Sequence, residues 1–130
     1  MSERPFENYR VLVLEDEPLI SMLTEDMVTE LGGSVVGPFS RVSTARQEVA
    51  SGASHITLAL LDVNLNGERS TGFARELRDM GVPVVFCTGY DEAGIEEEWR
   101  STPRLRKPFS EPELVRTVTE LFATTPAARE

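Results

Sequence analysis

The stretch Tyr9-Arg10-Val11-Leu12-Val13-Leu14-Glu15-Asp16-Glu17-Pro18 changes character at a single point. After Tyr9-Arg10, Val11 to Leu14 is continuously apolar and β-branched or aliphatic, as a strand buried on both faces must be. Three acids then follow, and Pro18 stands where a helix tolerates proline, in its first turn. From Leu19 onward, Ile20, Leu23, Met27 and Leu31 recur at intervals of three and four, with Glu25, Asp26 and Glu30 between them and Gly32-Gly33 ending the pattern. That spacing predicts an amphipathic helix. A buried strand, an acidic loop and a helix thus come in sequence, and the strand delivers its acids to its C-terminal end.

The cycle repeats along the chain. Ser34 to Pro38 reads as a short strand, Val42 to Ala50 as a weaker helix, and Leu58 to Leu61 as a second fully apolar strand stopping at Asp62. Gly72 to Met80 reads as a helix, Val82 to Cys87 as a strand, Ala93 to Arg100 as a short helix and Leu105-Arg106 as a very short last strand. Ser110 with Glu113 three residues on forms a capping-box pattern, and Leu114, Val115, Val118, Leu121 and Phe122 supply the final apolar stripe. Strand and helix alternating in this way imply an α/β fold, a five-stranded parallel sheet covered on both faces, with ligands at the strand C-termini. One domain over 1–123, a frayed tail over 124–130 and no output domain are expected.

Composition narrows the function. The 130 residues carry 22 acidic against 13 basic side chains, a formal charge of −9, so attraction to nucleic-acid backbones is disfavoured. No apolar run approaches a membrane span, and the polar N-terminus lacks a secretory signal. Cys87 is the single cysteine, which leaves no disulfide within the chain and suits a reducing cytoplasm.

The alternation brings Glu15, Asp16, Asp62, Thr88 and Lys107 to one rim of the sheet, since each ends or follows a strand. Two unit charges 4 Å apart interact by about 4 kcal/mol at an effective dielectric near 20, so three acids there need compensating charge. Lys107 and a divalent cation would supply it. Oxygen ligands without histidine or cysteine favour a hard ion such as Mg²⁺ over zinc. A carboxylate so neutralised can be a nucleophile toward a phosphoryl group, and Asp62 is the best placed. His55, the one histidine, falls in a turn region and reads as a surface residue.

Over essentially its full length the chain resembles the receiver domains of two-component response regulators. The motifs that carry the resemblance are Leu14-Glu15-Asp16-Glu17, Leu61-Asp62-Val63-Asn64, Thr88-Gly89 and Lys107-Pro108-Phe109. The resemblance implies a doubly wound, flavodoxin-like (βα)5 fold and a cytoplasmic, bacterial signalling protein. In it Asp62 takes a phosphoryl group from a histidine kinase or histidine phosphotransfer protein. It further implies that Asp16 and Asp62 hold Mg²⁺ directly, Glu15 through water and Asn64 through its main-chain carbonyl. Lys107 would contact the phosphoryl group, the Thr88 hydroxyl would move toward it, and Lys107-Pro108 would be cis. Such a protein catalyses only its own phosphorylation and autodephosphorylation. Its homodimer would form on the face of the fourth helix, fifth strand and fifth helix.

The stretch Pro83-Val84-Val85-Phe86-Cys87-Thr88-Gly89-Tyr90 is similar to the signature of single-domain receivers nicknamed FATGUY, with Val84 for Phe and Cys87 for Ala. That subgroup implies stress signalling, as a phosphorelay intermediate or a phosphate sink. Three departures stand out. The aromatic switch position three before the lysine holds Arg104, which leaves Tyr90 as the switch candidate. The loop after Asp62 lacks the usual proline, which predicts mobility, and the interval from Thr88 to Lys107 is short, which predicts a weak fourth helix. The alternative is a receiver-like interaction module that is never phosphorylated. A phosphatase is disfavoured because Asn64 cannot protonate a leaving group, and an FMN carrier because the first loop is acidic.

Overall fold

The computed structural model describes residues 4–52, 55–89 and 97–123. Its strands are β1 (Arg10–Leu14), β2 (Ser34–Phe39), β3 (Leu58–Asp62), β4 (Asn64–Leu65), β5 (Glu68–Arg69), β6 (Val84–Thr88) and β7 (Arg104–Arg106). The helices are α1 (Pro18–Glu30), α2 (Val42–Ser51), α3 (Thr71–Asp79) and α4 (Glu111–Ala123). Five strands form one parallel sheet in the order β2-β1-β3-β6-β7. Counted along the sheet strands alone this is the flavodoxin-like order 2-1-3-4-5, whose switch point lies between β1 and β3.

Alternate residues of the central strands feed two cores. Leu12, Leu14, Ala59 and Leu61 pack with Val42 and Ala45 of α2 and Phe73 and Leu77 of α3. Val11, Val13, Leu58 and Leu60 pack on the opposite face with Val28 of α1 and Leu114, Val118 and Leu121 of α4. Burial on both faces explains why β3 and β6 contain no exposed position. The capping box at α4 closes in both directions: Glu113 N–H donates to Ser110 Oγ at 3.3 Å, and Ser110 N–H donates to Glu113 Oε1 at 2.8 Å.

Four expectations change. Helix α1 buries Ser21, Thr24 and Val28, while Leu23, expected on the buried stripe, is 41% exposed. Thr24 can face the sheet because its hydroxyl donates to Ile20 O at 2.8 Å, leaving no orphaned donor. The loop after Asp62, for which no regular structure was expected, is a two-stranded hairpin, β4 paired antiparallel with β5. Its tip, Asn66 (φ 56°) and Gly67 (φ 100°), adopts the left-handed conformations that an Asn-Gly hairpin turn requires. Of the expected helix Ala93–Arg100, Glu97–Trp99 forms a single 3₁₀ turn, and 93–96 lie outside the described residues. Finally, β6 begins at Val84 instead of Val82, and β7 includes Arg104. Lys107–Pro108 is cis, as is Gly37–Pro38, which the sequence reading did not anticipate.

Candidate functional site

Glu15 leaves the end of β1, Asp62 ends β3 and Lys107 follows β7. Parallel register therefore sets their side chains on one rim. Lys107 Nζ donates to Glu15 Oε1 at 3.0 Å, to Glu15 Oε2 at 3.2 Å and to Asp62 Oδ2 at 3.2 Å. Glu17 Oε2 lies 3.6 Å away, on a largely exposed side chain. Asp62 and Glu15 are buried, at 2% and 5% exposure, and Asp16 is half-buried beside them. One oxygen from each of Glu15, Asp16 and Asp62 can be chosen so that all three lie within 4.8 Å of one another.

One buried ammonium does not balance this charge. Burial first, and then the Glu15 carboxylate, raise the Asp62 carboxyl to about 7 against the opposing pull of Lys107 and the Asn64 N–H. Burial works against the charged form of Lys107, yet its bonds to Glu15 and the charge of Asp62 carry the ammonium above its ordinary value. Cys87, buried on β6, has its thiol pushed up by burial and is no competing soft ligand. A buried all-oxygen cluster with excess negative charge fits a hard divalent cation.

The backbone around Asp62 is held from several sides. Asn64 N–H donates to Asp62 Oδ1 at 3.2 Å, Val63 N–H to Cys87 O at 3.4 Å, and the Ser70 hydroxyl to Asp62 O at 2.6 Å. Asn64 Oδ1 accepts from Gly67 N–H at 2.8 Å, so its amide side chain is committed to the hairpin turn.

No family model matches the chain. SdrG from Sphingomonas melonis Fr1 superimposes with a TM-score of 0.80 at 36% identity, over 94% of this chain and 99% of that one. Its BeF3-activated conformation gives 0.74 at 35% identity, over 93% and 98%. The response-regulator receiver domain of Erythrobacter litoralis PhyR gives 0.78 at 29%, over 92% and 94%. The chain belongs to the response-regulator receiver family. Among curated proteins, the phyllosphere-induced regulator PhyR of Methylorubrum extorquens is 36% identical over 103 residues, 76% of this chain. The receiver spans only 38% of that protein's length.

This receiver brings Glu15, Asp16, Asp62 and Lys107 together as the sequence predicts. Thr88 also ends its strand on the rim, and its carbonyl accepts from Lys107 N–H at 2.8 Å. Its hydroxyl, however, is turned toward β7 and donates to Leu105 O at 3.4 Å. Tyr90, the switch candidate, lies outside the described residues. His55 is exposed.

Arg104 is exposed and donates to the carbonyls of Trp99 and Arg100 at 3.2 and 3.3 Å. Among the described residues of this segment the aromatic ring is Trp99, 2% exposed, edge-on to Phe86 with centroids 5.3 Å apart and covered by the Arg78 guanidinium at 4.8 Å. Sequence reading missed Trp99, Ser70 and the hairpin. The Asn66-Gly67 pair signalled the hairpin, and a lone tryptophan among acids could have marked a plug in the core. Ser70 carried only the signature of a helix cap.

Proposed function

We propose that Asp62 is the phospho-acceptor of a two-component signalling receiver, taking its phosphoryl group in a Mg²⁺-dependent step from a histidine kinase or histidine phosphotransfer protein. The observation that carries this is the buried Asp62 carboxylate held 3.2 Å from Lys107 Nζ beside two further acids. In the proposed step an Asp62 oxygen attacks phosphorus, and the bond from phosphorus to the donor's imidazole nitrogen breaks. Its electron pair leaves with the imidazole, and an acyl phosphate forms. Asp16 and Asp62 would hold the metal with the Asn64 main-chain carbonyl, and Glu15 would reach it through water. A bound divalent cation supplies positive charge against the phosphoryl oxygens. Lys107 supplies further charge from its fixed position, and the Thr88 hydroxyl would turn from Leu105 toward the phosphoryl group.

The chain itself would release phosphate by hydrolysis and act on no separate substrate. We place it in the bacterial cytoplasm, as a switch, a phosphorelay intermediate or a phosphate sink. The donor protein would dock beside the rim on α1, where Leu19, Met22 and Leu23 are exposed. A small, mostly apolar pocket lined by Ile20, Leu23, Thr24, Met27, Pro108 and Phe109 lies between α1 and the residues directly after Lys107. A homodimer would use β7, α4 and the segment before β7.

Intact-mass measurement after incubation with acetyl phosphate and Mg²⁺ tests the assignment. A single phosphoryl adduct on the wild type that is lost in Asp62→Ala is expected. An adduct persisting at the wild-type level in Asp62→Ala would overturn the assignment to Asp62, and a wild type that takes no adduct would leave the interaction module that is never phosphorylated.

A further inference from the structure

Ser70 sits at the N-cap of α3, where serine ordinarily accepts a hydrogen bond from an amide of the first turn, and it makes no such bond. Its hydroxyl is turned backward instead. It donates to Asp62 O at 2.6 Å and lies 3.4 Å from Val63 O, while its own N–H donates to Val63 O at 3.0 Å. The residue is 0% exposed, so water does not compete for these bonds.

We propose that Ser70 is a positioning residue. It fixes the peptide planes from Asp62 to Asn64 and thereby sets the cation affinity of the acidic rim. Val63 and Leu65 anchor the same loop by burial, at 1% and 4% exposure. Apolar burial is non-directional, however, and holds a side chain in place without choosing how the adjoining carbonyls point. A hydrogen bond is directional, and a short one from a hydroxyl buried in the loop's own closure orients its acceptor. The hairpin projects Asn64, Asn66, Gly67 and Glu68 into solvent, so the Ser70 bonds tie its base to the chain at the start of α3. A capping bond is forgone for this one, which fits a hydroxyl used to shape the site rather than the helix.

The inference rests on the reading of the rim as a Mg²⁺ site, and the wild type tests that reading separately. Calorimetric Mg²⁺ titration of the full chain is compared for wild type, Ser70→Ala and Val118→Ala. Val118 lies in the opposite core, so its truncation destabilises the fold without touching the loop. Ser70→Ala is expected to weaken Mg²⁺ binding roughly three- to tenfold, the loss set by one net hydrogen bond. Its rate of phosphorylation by acetyl phosphate should fall at limiting Mg²⁺ and return to the wild-type rate at saturation. In EDTA, amide exchange at positions 70 and 64, relative to that of β1 core amides, should be faster in Ser70→Ala and unchanged in Val118→Ala. Wild-type affinity in Ser70→Ala, or an equal loss in Val118→Ala, would overturn the positioning role while leaving the Mg²⁺ site intact. A wild type that binds no Mg²⁺ would refute the site reading and this inference with it.

Discussion

Replacing Asp62 by Asn in metal-free protein is expected to stabilise the fold at pH 8. Asp62 rises from 3.8 to about 7 on folding, because burial and Glu15 disfavour its charge. Between those values the native state binds a proton that the unfolded chain has released, so stability falls as pH rises through the window. The penalty is complete above pH 7. Keeping the group ionised there costs about 4 kcal/mol relative to the unfolded chain, an upper figure that local relaxation lowers toward roughly 2 kcal/mol. Asn has the shape of the protonated acid and carries none of this cost, and Lys107 retains both of its bonds to Glu15. Urea unfolding in EDTA, followed by circular dichroism, should show Asp62→Asn ahead by roughly 2–4 kcal/mol at pH 8 and by under about 1 kcal/mol near pH 4. Millimolar Mg²⁺ should narrow the difference at pH 8 by stabilising the wild type. A variant no more stable than wild type at pH 8, or a difference that does not change with pH, would refute the charge-excess account of the rim.

Lys107→Met removes the cation and leaves Glu15 facing Asp62. It should destabilise the metal-free protein by about 3–5 kcal/mol at pH 8 and less at pH 5.5, where Asp62 is protonated, measured by the same unfolding series. Gly67→Ala should cost about 1–2 kcal/mol by thermal unfolding, because the position has φ 100° while no atom crowds the added methyl, so backbone conformation alone is being read.

Legibility followed the strength of the periodic signal. Strands β1, β3 and β6 were readable because burial on both faces allows no polar residue within them, and a polar group at such a strand's end announces the rim. Helix α1 was readable as a helix but not as to its face. Its buried side uses Ser21 and Thr24, the latter with its hydroxyl satisfied by Ile20 O, while Leu19 and Met22 stand in solvent. Asp62, Glu15 and Lys107 were legible as a convergence of strand ends. Ser70 was not, because the residue type and position that suit a helix cap are the same ones that reach back to Asp62, and only coordinates show which way the hydroxyl turns. Trp99 escaped because three residues of 3₁₀ turn carry no periodicity, and its burial depends on Phe86 and Arg78 from distant segments.

Among the described residues between the rim and β7, Thr88 and Trp99 are held by contacts of very unequal strength, and this decides which of the two moves more easily. Trp99 is plugged against Phe86, covered by Arg78 and tied through its carbonyl to Arg104, while the neighbouring Glu98 is clasped by Arg75 and Arg78. Extracting such a side chain is comparable to truncating it, about 3–5 kcal/mol. The Thr88 hydroxyl is held to Leu105 O by one bond of 3.4 Å, worth at most about 1 kcal/mol. A phosphoryl group on Asp62 could therefore draw the hydroxyl off β7 at small cost, and would leave the indole where it is. Trp99 is the chain's single tryptophan, so its emission reports this directly. Beryllofluoride with Mg²⁺ should perturb the amide resonances of Thr88 and Leu105 while the emission maximum stays that of a buried indole. Emission moving to the wavelength of the urea-unfolded protein on activation would show that the plug leaves with the hydroxyl, and the order of strengths inferred from these contacts would be wrong.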